Sequence, residues 1–133
     1  MQAGKAIYTI LTNGATAAIT TEVAPLHVDQ FNDSTTEYIK YVIESIEPHD
    51  TKSGASTLDE ETYNIVCFSK DADVLLSLTE AVRSDLDRYP PGVVGTINID
   101  GVQFLDMSNV DFDDKTRRFD VELRFKFRVK RTP

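Results

Sequence analysis

The chain has 133 residues, 41% of them hydrophobic and 27% charged, an ordinary globular composition with room for one domain over residues 1–133. A domain of this size buries roughly two-thirds or more of the surface its unfolded chain exposes, so it needs neither disulfides nor a structural metal, and the single Cys67 supplies neither. Lys and Arg number 14 against 22 Asp and Glu, and the net charge of −8 argues against a nonspecific nucleic-acid binder, whose affinity rests on neutralising phosphates.

Residues 4–20 carry Ile7, Ile10, Leu11, Ala18 and Ile19 at helical spacings, which predicts one helix weakened in its middle by Gly14. No apolar run here reaches the length of a signal-peptide core or a membrane span, and one cysteine suits a reducing compartment, so a cytoplasmic chain is expected. A proline-bearing linker, Glu22 to Gln30, follows. Tyr38–Ile46 and Glu61–Phe68 are rich in β-branched and aromatic residues and read as strands. Between them, residues 48–60 (PHDTKSGASTLDE) are polar and too long for a tight turn, so a mobile hairpin tip is expected, with Lys52, Ser53 and Gly54 as candidate interface residues at its centre.

Residues 71–88 form the clearer helix: Val74, Leu75, Leu78, Ala81, Val82 and Leu86 make a stripe, Asp71 and Asp73 suit the positive end of the helix dipole, and Pro90-Pro91-Gly92 stops the element. Thr96–Ile99 is expected to turn back at Asp100-Gly101 into a strand from Val102 to Phe112, whose imperfect alternation suggests a bulge. After the polar cluster Asp113-Asp114-Lys115-Thr116, residues 119–130 alternate without a break between Phe119, Val121, Leu123, Phe125, Phe127 and Val129 and their charged neighbours. The result is an α+β fold in α-β-β-α-β-β order, an antiparallel β-sheet of about four to five strands with two α-helices packed on one face.

The residues of an enzyme do not assemble in this sequence. His27 and His49 are the only histidines, and no serine or cysteine stands in a nucleophile motif. Cys67 shares the apolar face of its strand with Tyr63 and Ile65, which predicts a buried, inert thiol. Asp111, Asp113 and Asp114 lack the glycine and distant glutamate of a calcium loop, and Asp59-Glu60-Glu61 reads as solvated surface. Neither a zinc spacing nor a phosphate-cradling glycine motif is present. No catalytic residue, cofactor or metal is therefore assigned.

Charge is unevenly distributed. Residues 1–114 hold 6 basic and 20 acidic side chains, whereas residues 115–133 hold 8 basic and 2 acidic ones. Lys115, Arg117, Arg118, Arg124, Lys126, Arg128, Lys130 and Arg131 thus gather on the terminal hairpin. Such a split suits head-to-tail association into a ring, and it equally suits a solvated sheet face whose cations discourage edge pairing. On the first reading Arg117, Arg118, Arg124, Lys126, Arg128 and Lys130 touch a neighbouring subunit or partner, through contacts that salt weakens.

Several segments taken together resemble a known family: the N-terminal AIYTILTNGATAAI, the linker from Glu22 to Gln30, the strand EYIKYVIES, the strand-to-helix run YNIVCFSKDADVLLSLTEAVRSDL and the closing FDVELRFKFRVKR. In order and texture, from about Ala3 to Arg131, the chain is similar to the tail terminator, or tail completion, family of long-tailed bacteriophages. The resemblance implies a virion structural protein assembled in the host cytoplasm. It implies a homo-hexameric ring on the last ring of tail-tube protein, which stops tube growth and offers its other side to a head-completion or connector protein of the neck. Genomic DNA would pass through the lumen without specific binding, and no membrane is involved. The alternatives are a head-tail adaptor, a tail-tube protein, or a small ligand-binding or metal-dependent α+β enzyme with a ferredoxin-like sheet.

Overall fold

Unbroken apolar alternation near the C-terminus makes one strand the spine of the molecule. In the computed structural model, residues 3–26, 37–48, 58–115 and 117–130 are described. Their elements are α1 (Ala3–Leu11), a 3-10 turn (Ala15–Ala18), β1 (Val23–Pro25), β2 (Glu37–Pro48), β3 (Leu58–Ser69), α2 (Ala72–Leu86), β4 (Gly92–Val94), β5 (Ile97–Met107), β6 (Asp111–Asp113) and β7 (Arg118–Lys130). The spine, β7, has β3 on one side and β5 and β6 on the other, in a sheet of order β1-β2-β3-β7-β5-β4. Every pairing is antiparallel except β1 with β2, which is parallel.

Odd-numbered β7 side chains from Val121 to Val129 point inward with Ile39, Tyr63, Ile65, Cys67 and Ile99, and all are buried. Ala3, Ala6, Ile7, Ile10 and Leu11 of α1 and Leu75, Leu78, Val82 and Leu86 of α2 close over them. Two helices thus cover one sheet face, as the periodicity requires. Helix α1 touches both β1 and β4, the two ends of the strand order, so the sheet curls around it.

The expected count of about four to five strands and the purely antiparallel sheet are corrected to seven described strands in a mixed sheet. The additions β1 and β4, and β6, which is split from the end of the expected Val102–Phe112 strand because β5 stops at Met107, have three residues each, too few to display alternation in a sequence. The single helix over 4–20 is corrected too. Thr12 Oγ1 donates to the Tyr8 carbonyl (2.7 Å) and Asn13 Nδ2 to the Thr9 carbonyl (2.7 Å), so side chains satisfy the last turn and end α1 at Leu11. The 3-10 turn then starts where both Asp85 carboxylate oxygens accept amides, from Ala15 and from Thr16, each at 2.8 Å.

Asp100-Gly101 is not a turn. Strand β5 runs through it with a bulge between Ile99 and Gly101, and a second bulge separates Phe104 from Asp106, so the expected irregularity is present. The reversal comes earlier, between β4 and β5, with Gly95 at φ +62° in the conformation that glycine adopts without strain. On its far side β5 is sealed at Val102–Phe104: the Arg88 amide donates to the Val102 carbonyl (3.1 Å), and Asp87 Oδ1 accepts from the Phe104 amide (3.3 Å).

Candidate functional site

Helices cover the inner face of the sheet, which leaves the outer face to even-numbered β7 side chains. Arg124 spans it. Its Nε meets Glu44 Oε2 of β2 at 3.0 Å and its Nη1 meets Asp106 Oδ2 of β5 at 2.7 Å, so one guanidinium ties two strands, β2 beyond β3 and the adjacent β5, to the spine. The hydrogen bonds it donates to Glu44 and then to Asp106 hold its charge more firmly than usual. Nearer the C-terminal end of β7, Lys126 Nζ lies 3.5 Å from Glu60 Oε2 and Arg128 Nε 4.0 Å from Glu60 Oε1.

At the other end the face is aromatic. Tyr38 and Phe68 stack with centroids 4.5 Å apart, and the Arg118 guanidinium lies 5.1 Å from the Tyr38 centroid. Cross-strand pairing puts these rings beside Asp120, whose carboxyl is raised above its ordinary range by burial and then by the negative charges of Asp111, Asp113 and Glu122.

The expected interface residues therefore separate. Arg124, Lys126 and Arg128 form an ionic row already neutralised by Glu44, Asp106 and Glu60. Arg118 is buried, Arg117 is exposed in the β6–β7 turn at φ +56°, and Lys130 is exposed at the end of β7. Lys52, Ser53 and Gly54, the centre of the expected hairpin tip, lie outside the described residues, as do Arg131 and both histidines.

Cys67 is fully buried and its thiol is pushed up to about 12 by desolvation, which makes it inert as expected. Among the described residues no group of three or more His, Cys, Asp and Glu is arranged to hold a metal, and no helix is long and apolar enough to cross a membrane. Glu61 corrects the reading of its acidic run as solvated surface. It is 2% exposed, and its Oε1 accepts from the Ala3 amide (3.1 Å) and the Tyr63 hydroxyl (2.9 Å), so it anchors the first turn of α1. Burial, and then the Glu61 charge, raise the Tyr63 phenol.

Beside that anchor lies an apolar groove of about 430 Å³, walled by Gly4, Leu26, Tyr41, Val42, Ile43 and Tyr63. Strand β1 stops at Pro25 and covers β2 only from Ile39 to Tyr41, so the groove opens where a longer β1 would have continued. Four sequence segments build it. No local pattern announced it.

No protein-family profile matches the chain, and no curated protein matches it. Among solved structures, a chain from the virion of a native gene transfer agent particle overlaps it with a TM-score of 0.68 at 20% identity. The two chains share a fold. The overlap covers 96% of this chain and 93% of the other, so the likeness concerns the whole α+β architecture and not a common fragment.

Proposed function

We propose that the protein is a structural component of a virion, a tail terminator that assembles as a hexameric ring on the end of a tail tube and joins it to the neck. The observation that carries this reading is the full-length likeness to a virion chain. It agrees with the family that the sequence resembles. The partners in this reading are further copies of the chain, the tail-tube protein and a connector protein, with the genome passing through the lumen.

In this arrangement the outer face contacts the tube. Arg124, Lys126 and Arg128 are half-exposed and held by Glu44, Asp106 and Glu60, so each can exchange an internal carboxylate for one on a partner with little desolvation. Electron microscopy of the purified protein, alone and mixed with tail tubes, tests the reading. Single rings, and rings capping tube ends, are expected. Polymerisation into long tubes would identify a tube protein, and the absence of rings both alone and on tubes would remove the proposal.

A further inference from the structure

Residues 12–14 lie between α1, which ends at Leu11, and the 3-10 turn that begins at Ala15, and Asn13 and Gly14 are both exposed. The neighbouring amides are taken. Thr12 donates to the Tyr8 carbonyl (3.0 Å), Asn13 to the Ile10 carbonyl (3.3 Å), and Ala15 and Thr16 to Asp85. Among the described residues the Gly14 amide makes no hydrogen bond. Glycine has no β-carbon, so nothing on residue 14 itself shields that nitrogen.

An asparagine followed by glycine sets a side-chain carbonyl carbon beside an unhindered backbone nitrogen, at the separation that closes a five-membered ring. We propose that Asn13 modifies itself through Gly14. The Gly14 nitrogen attacks Asn13 Cγ, a C–N bond forms, the Cγ–Nδ2 bond breaks, and the side-chain nitrogen leaves as ammonia with the proton that the Gly14 amide gives up. Water then opens the cyclic imide at either carbonyl and leaves aspartate or isoaspartate at position 13. No electrons are exchanged, and one negative charge is added to the net −8.

Structure selects this asparagine. Asn64, Asn98 and Asn109 are followed by Ile65, Ile99 and Val110, whose branched side chains crowd the attacking nitrogen, and Asn64 and Asn98 are held in the paired strands β3 and β5. Asp100-Gly101 would close the same ring with loss of water, but Asp100 is half-buried and Gly101 is paired with Arg128 of β7. Asn13 has one restraint: its Nδ2 donates to the Thr9 carbonyl at 2.7 Å, which turns the carboxamide back along α1. Attack needs that bond open, and the frayed end of a helix opens at little cost.

The product cannot remake the bond. A carboxylate has no proton for the Thr9 carbonyl, and its charge falls at the C-terminal end of α1, where the helix dipole disfavours it, in the small cavity that residue 13 lines together with Asp85.

The test incubates the folded chain at physiological temperature and mildly alkaline pH, with peptide mapping by mass spectrometry and an assay of released ammonia. Asn13 should convert ahead of Asn64, Asn98 and Asn109, in step with the ammonia. Asp85→Ala, which frees the Ala15 and Thr16 amides, should convert faster. Adding Gly14→Ala to it should slow conversion roughly tenfold or more, because a β-carbon then shields the nitrogen and restricts its backbone. Should the Asp85 variants fail to fold by circular dichroism, Asn13→Gln carries the test, since glutamine must close a six-membered ring and should release ammonia far more slowly than wild type. An Asn13 that stays intact in the folded chain while it converts in urea, earlier conversion of Asn64, Asn98 or Asn109, or equal rates with and without Gly14→Ala would overturn the proposal.

Discussion

Gly14 adopts φ −111° and ψ −154°, extended backbone open to any residue, yet a β-carbon there would collide with the Asp85 carboxylate. That carboxylate cannot retreat freely, since its two oxygens hold the Ala15 and Thr16 amides. Asp85→Ala should cost about 1–2 kcal/mol, the usual loss when capped amides are left without a partner. Gly14→Ala should cost a similar amount by displacing the same group. In an Asp85→Ala background Gly14→Ala should then be nearly neutral, because the obstacle is gone. Urea unfolding of the four proteins measures this coupling, and additive losses would show that Gly14 is needed for another reason. The sequence marked Gly14 only as a weak point in a helix. Its partner stands 71 residues away, and such a contact is invisible to local periodicity.

Elements of twelve residues or more were legible because each repeats its own pattern. Val121 to Val129 alternate through β7, Leu75, Leu78, Val82 and Leu86 stripe α2, and β2 and β3 carry the aromatic and β-branched residues of strands. Asp71 was read as favouring the α2 dipole and is in fact its cap, accepting from the amides of Asp73 (2.8 Å) and Val74 (3.3 Å). Asp71→Ala should lower stability by about 1 kcal/mol while Asp71→Ser changes it by a few tenths, a contrast that thermal unfolding reads directly. Equal losses would mean that the aspartate contributes charge and not a hydrogen bond. Elsewhere pattern failed for identifiable reasons. Asp100-Gly101 suits a turn and a bulge equally, and the choice falls to β7, whose long apolar face pairs with both halves of β5. The parallel β1 exists because the Ile39 amide reaches the Glu22 carbonyl and the Leu26 amide the Tyr41 carbonyl, both at 2.8 Å, contacts set by tertiary packing.

At the scale of the whole molecule, the split between an acidic body and a cationic hairpin suited, in sequence, either subunit association or a solvated sheet face. Folding changes that balance. The three central cations of β7 spend their charge on Glu44, Asp106 and Glu60 of the same chain, while among the described residues the apolar groove and the corner Met107–Phe112 are open. Contacts through these two kinds of surface differ in physics, and salt separates them. The Debye length falls from about 30 Å at 0.01 M to about 3 Å at 1 M, which screens ion pairs on an exposed face. Each subunit carries a net charge of −8, so added salt also relieves repulsion between copies, while apolar burial persists. Self-association should hold or tighten between about 0.05 M and 1 M sodium chloride, whereas binding to the tube through Arg124, Lys126 and Arg128 should weaken over the same range. The double reversal Arg124→Glu, Lys126→Glu should spare the ring and impair capping, with a stability loss of about 1 kcal/mol from the exposed pairs it removes. Sedimentation and tube co-pelleting across the salt series read the two arms, and a ring that dissolves in salt would return the subunit contact to the cationic hairpin.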